Sequence, residues 1–83
     1  MTPPDWLKTR DGSLKAGLSS HTLFVVYGGQ PHYRLDVRPA VGGFSCDITQ
    51  TVNGHRSDNT AKCDSEPAAF ASGLEALRTQ LGW

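Results

Sequence analysis

Between Thr22 and Ile48 the chain holds three β-branched and aromatic runs separated by glycine and proline. They read Thr22-Leu-Phe-Val-Val-Tyr27, Gly-Gly-Gln-Pro, His32-Tyr-Arg-Leu-Asp-Val-Arg38, Pro-Ala-Val-Gly-Gly, and Phe44-Ser-Cys-Asp-Ile48. The second and third runs alternate apolar with polar residues, the period of a strand with one face in a core. Turn residues stand between them, so consecutive runs pair as an antiparallel meander. A first turn over residues 28–31 sets Tyr27 opposite His32, Val26 opposite Tyr33 and Phe24 opposite Leu35. A second, over residues 39–42, sets Val37 opposite Phe44, Leu35 opposite Cys46 and Tyr33 opposite Ile48. One face then collects Phe24, Val26, Tyr33, Leu35, Val37, Phe44, Cys46 and Ile48. A slip of one residue would scatter that set.

Beyond Ile48 two corners compete. Asn53-Gly54 suits a type I′ turn and Gly54-His55 a type II′ turn. The second is preferred, because it sets Asp47 opposite Lys62 and Thr49 opposite Thr60, both favourable cross-strand pairs. It also places Cys46 opposite Cys63. The resulting fourth strand, over 58–63, is polar and forms an edge. A helix over 65–82 follows, capped by Asp64 or Ser65, with Glu66 near its positive pole and Pro67 in the tolerant first turn. Phe70, Leu74, Leu77 and Leu81 make one apolar stripe. Gly73 lies beside the stripe, where it allows close approach to a sheet. Gly82 ends the helix and lets Trp83 fold back.

The expected fold is therefore α+β, a four-stranded antiparallel β-meander (20–64) with one C-terminal helix packed on one face. Eighty-three residues suit one domain. Residues 1–19 form either an irregular arm or a small hairpin. Asp11-Gly12 is a hairpin signal that would set Thr9 opposite Leu14 and Leu7 opposite Ala16. The same hairpin sets Lys8 opposite Lys15, which weakens it.

Eight basic residues balance eight acidic ones, so no overall field draws the chain to nucleic acid or an anionic membrane. No apolar run approaches a membrane span of about 18 residues. Met-Thr-Pro-Pro-Asp-Trp lacks the features of a signal peptide, so a cytoplasmic location is expected. Two cysteines are too few for a disulfide scaffold. Cys46 and Cys63 are either core thiols or a cross-strand disulfide, and in a reducing cytoplasm adjacent core thiols are the expectation.

The chain offers little for catalysis. His21, His32 and His55 lie apart, with no metal-ligand spacing around them. Asp36, Asp47, Asp58 and Asp64 form no close pair. Asp47 falls between Arg34 and Lys62, an ion row on the solvent face. Gly28-Gly29 and Gly42-Gly43 are turn glycines outside any phosphate-binding motif. A non-enzymatic protein without cofactor or metal is the expectation.

The first strand holds the informative oddity. In this register Leu23 and Val25 point away from the helix, beside Tyr27, and the neighbouring strand puts His32, Arg34, Asp36 and Arg38 on that face. An apolar strip on a charged face needs a cover or a partner. Trp6, Leu7, Leu14 and Leu18 could supply the cover. Otherwise Leu23, Val25, Tyr27, His32, Arg34 and Arg38 form a surface for a protein partner or for self-association, or a free sheet edge accepts a partner strand. The competing function is single-stranded nucleic-acid binding, with Tyr27 and His32 stacking on bases and Lys8, Arg10, Lys15, Arg34 and Arg38 on phosphates.

Four strands followed by a helix is also the order of the PC4-like single-stranded-DNA-binding domains, and Tyr33-Arg-Leu-Asp-Val-Arg38 resembles a strand that they carry. The likeness spans six residues beyond topology. It implies a nucleic-acid-binding sheet, in line with the competing function.

Overall fold

The computed structural model describes residues 2–17, 19–58 and 62–83. Its elements are α1 (Asp5–Lys8), β1 (Ser13–Ala16), β2 (Thr22–Tyr27), β3 (Gln30–Ala40), β4 (Gly43–Gln50), β5 (Arg56–Asp58) and α2 (Glu66–Leu81). The strands form one antiparallel sheet in the order β1-β2-β3-β4-β5. This is the expected α+β meander with a C-terminal helix, extended by a fifth strand. That strand comes from the N-terminal segment. Asp11 (φ 59°) and Gly12 do not close a hairpin; they link α1 to β1, with the Gly12 N–H donating to the Leu7 carbonyl at 2.9 Å. β1 then pairs with β2, Leu14 opposite Val25.

Two glycines decide which side of β2 is inside. Gly28 (φ 62°) and Gly29 (φ 78°) are both left-handed, so the corner closes after two residues, with Tyr27 opposite Gln30. A bulge between Val25 and Val26 then shifts the ladder, and Val25 pairs with Tyr33, Leu23 with Leu35 and Phe24 with Arg34. The four-residue turn read from the sequence differs by one residue in register, and one residue inverts the strand. Leu23 and Val25 therefore face the helix, while Phe24 and Val26 face outward.

The β3–β4 corner closes at Val41-Gly42, where Ala40 pairs with Gly43 and Val37 with Cys46. This differs from expectation by two residues, which leaves every side chain on its expected face. The next corner is neither of the two-residue turns. The Gln50 N–H donates to the His55 carbonyl and the Gly54 N–H to the Gln50 carbonyl, each at 2.8 Å, around a loop of residues 51–54. Asp47 consequently pairs with Asp58 and Thr49 with Arg56. Cys63 rejoins the sheet opposite Phe44, not opposite Cys46. Its diagonal placement leaves both thiols free. Leu18 and Thr60 lie outside the described residues.

The core is a single layer between sheet and helices. Val25, Tyr33, Leu35, Val37, Cys46 and Ile48 meet Ala69, Phe70, Leu74 and Leu77 of α2 and Leu7 of α1. Leu81, the end of the predicted stripe, is half-buried against it. The Ser65 hydroxyl accepts from the Ala68 N–H at 3.3 Å, which caps α2. At the other end Gly82 (φ 74°) lets the Trp83 N–H return to the Arg78 carbonyl at 3.1 Å, and Trp83 folds back.

α2 lies unusually near β4 at Gly73, where a Cβ would fall 2.5 Å from Cys46 Sγ. Gly73→Ala should therefore destabilise by about 1–3 kcal/mol through overpacking, although alanine is the better helix former by roughly 1 kcal/mol. Denaturant melts should recover part of that loss when Cys46→Ala is added. Leu35 is fully buried on the central strand, and Leu35→Ala should cost about 2–5 kcal/mol.

Candidate functional site

Strand alternation assembles the outer face in rows. One row crosses all five strands as Lys15, Phe24, Arg34, Thr49 and Arg56. The next carries Thr22, Asp36, Asp47 and, by backbone register, Asp58. Opposite charges in neighbouring rows pair. Asp36 accepts from the Thr22 hydroxyl at 2.8 Å and from Arg34 Nε at 2.7 Å. Asp47 Oδ2 accepts from Arg38 Nε at 2.9 Å and lies 3.5 Å from Arg56 Nη2. The ion row predicted on this face forms, with Arg38 and Arg56 around Asp47 in place of Arg34 and Lys62. The Asp47 side chain is only 9% exposed, whereas both arginines are about half exposed. The carboxylate is thus an anchor between two solvated cations.

An apolar groove interrupts this charged face. Phe24 and Val26 form its floor, and Lys15, Ala16, Gly17, Gly29 and Pro31 enclose a volume of about 360 Å³. It runs beside β1, whose outer edge has no neighbouring strand among the described residues. The Gly17 N–H donates to the Thr22 carbonyl at 3.0 Å. Bonding alternates along an antiparallel strand, so the odd-numbered residues of β1 bond inward to β2. The N–H and C=O groups of Leu14 and Ala16 therefore point to the open side.

The six residues singled out from the sequence separate into three groups. Val25 is in the core and Leu23 packs against it, so neither belongs to the outer face where the sequence register put them. Tyr27 and His32 stack on each other at the β2–β3 corner, centroids 3.8 Å apart and 7° from parallel. Tyr27 also meets the edge of Trp83 at 5.2 Å, and Trp83 lies 6.0 Å from Trp6 with the Arg10 guanidinium 4.3 Å over its ring. Only Arg34 and Arg38 lie on the outer face, each held by a carboxylate. Phe24 and Val26, read from the sequence as inward-facing, are the apolar residues of the outer face, and Lys15, read only as a phosphate contact, borders them. β2 is apolar on both sides, so its alternation carries no sign of which side is inside; the paired glycines were the available signal.

The titratable groups are dispersed. Among the described residues no three His, Cys, Asp or Glu side chains form a group that could hold a metal ion. His21 Nδ1 lies 3.0 Å from Glu66 Oε1 at the start of α2. Burial raises the Tyr27 phenol, with Tyr33 a smaller contributor. Burial, followed by the nearby Asp47 and Asp36 carboxylates, pushes the Cys46 thiol from 9.0 up to about 12. Cys46 therefore stays protonated at neutral pH and is not poised as a nucleophile. No helix of the described residues is long and apolar enough to cross a membrane.

No family model, no curated protein and no solved structure matches the chain.

The Cys46 shift has a consequence for stability. The folded-state value lies above the unfolded one, so its contribution is complete below about pH 9 and is lost as pH rises toward 12. The stability gap between the wild type and Cys46→Ala, followed by urea melts between pH 7 and 10.5, should narrow above pH 9.

Proposed function

We propose that this chain is a small, non-enzymatic binding module that engages protein through the outer face of its sheet and the free edge of β1. One observation carries the reading: the Phe24–Val26 groove is the apolar break in an ion-paired face, and it adjoins unpaired backbone groups. An extended segment laid along β1 would bond to Leu14 and Ala16, and its alternate side chains would fall beside Lys15 and into the groove. Backbone bonding supplies affinity in such docking, and the groove supplies selectivity. A cytoplasmic setting suits the two free thiols.

Single-stranded nucleic-acid binding is the weaker reading. Arg34, Arg38 and Arg56 already face carboxylates, and Tyr27 and His32 spend a ring face on each other. Among the described residues Phe24 is the one aromatic ring left on the outer face.

Selection of displayed ten-residue peptides against the protein tests the proposal. Binders should shift the amide resonances of Leu14 and Ala16, and Phe24→Ala should weaken them about tenfold or more. Binders that perturb neither β1 nor the groove would refute the docking site. Tight, steeply salt-dependent binding of short oligonucleotides would favour the other class.

A further inference from the structure

We propose that the cleft between the corner following α1 and the β2–β3 corner binds a small aromatic carboxylate, with its acid group on Arg10 and its ring against Trp83 and Tyr27. The cleft encloses about 600 Å³ and is lined by Thr9, Arg10, Tyr27, Gly28 and Trp83. That volume lies in the range of small-molecule sites. The cleft shares no lining residue with the Phe24–Val26 groove, so it is a second site, apart from the docking surface.

Trp83 is placed here by hydrogen bonds and ring contacts, not by the core. It is half-buried, yet it lies outside the hydrophobic cluster between sheet and helices. The left-handed Gly82 turns the chain back, and Trp83 and Arg78 then bond reciprocally. The Trp83 N–H donates to the Arg78 carbonyl at 3.1 Å, and Arg78 Nη1 donates to the Trp83 carbonyl at 3.0 Å. Arg78 is itself held by Glu75, whose carboxylate accepts from Nε at 3.0 Å. The indole so positioned meets the edge of Tyr27, and Tyr27 is backed by His32. One wall of the cleft is therefore aromatic and preorganised. The other carries a cation. Arg10 has the only charged side chain among the lining residues. Its guanidinium lies 4.3 Å over the Trp83 ring, which holds it against the wall. Among the described residues no carboxylate or side-chain hydrogen bond takes its N–H donors. That planar fork matches a carboxylate in a bidentate pair. A free cation beside aromatic walls selects a ligand that is anionic at one end and flat and apolar at the other.

Naphthoate is the probe that tests the site. Its titration should move the indole N–H resonance of Trp83 and the Nε–H resonance of Arg10, with a dissociation constant of about 0.1–1 mM. Acetate and naphthylmethanol, which each keep one half of the ligand, should bind about tenfold more weakly. Arg10 is exposed, so Arg10→Gln spares the fold, which circular dichroism checks. It should weaken naphthoate about tenfold and leave naphthylmethanol unchanged, abolishing the preference for acid over alcohol. Phe24→Ala, in the separate groove, should leave naphthoate binding intact. Naphthoate that moves neither resonance overturns the inference. So does an Arg10→Gln variant that weakens acid and alcohol alike, or one that keeps the preference for the acid. Loss of naphthoate binding in Phe24→Ala would place the ligand in the groove and overturn it equally. Peptide docking at Leu14 and Ala16 does not depend on any of these outcomes.

Discussion

The two-residue corner at Gly28-Gly29 is the constraint on which the molecule depends. Two consecutive left-handed residues turn the chain in the least length available, and the bulge at Val25/Val26 fixes the rest of the ladder. Together they send Leu23 and Val25 inward, where α1 and α2 can cover them. They also leave Phe24 and Val26 on the opposite side. The buried layer and the outer groove are thus two results of one backbone decision. In the alternative register Val25 would leave the core, and the pair Leu23–Leu35 at the centre of the sheet would be lost.

What was legible in the sequence followed the strength of its periodicity. β3 and β4 alternate cleanly, and their inward residues, Tyr33, Leu35, Val37, Cys46 and Ile48, face α2 although the corner between them falls elsewhere. An error of two residues moves partners without moving faces. The stripe on α2 and the approach at Gly73 were likewise readable, because helical spacing and a missing side chain are both explicit in the chain. β2 was not readable in the same way, since Leu23, Phe24, Val25 and Val26 give no polar side. The N-terminal segment hid its role because a hairpin signal at Asp11-Gly12 and a helix-to-strand corner use the same residues. Its fate was decided by Leu7, whose burial draws α1 under the sheet and lays β1 against β2. The candidate surface inherited the β2 error: its cations lay on the predicted face, but its apolar members were the wrong alternate pair.

The two sides of the sheet are stabilised by different physics. Inside, burial of aliphatic and aromatic side chains dominates. Outside, Asp47 ties β4 to β3 and β5 through arginines that remain in water, and Asp36 ties β3 to β2 through the Thr22 hydroxyl, surface contacts worth little per pair. They do set positions. Asp47 gathers Arg38 from β3 and Arg56 from β5, so the shortest strand is registered by charge where it has little core to grip. The groove near β1 lies at the other end of the same face, away from that cluster.

The contact between Gly73 and Cys46 makes the sulfur a gauge of the helix. No reagent or oxygen atom can be added to Cys46 while α2 rests on it, since the space beyond Sγ is already filled by helix backbone. Modification of this thiol must wait for α2 to lift from β4. Its rate therefore reports how often the core between α2 and β4 opens, by lifting of the helix or by unfolding of the whole.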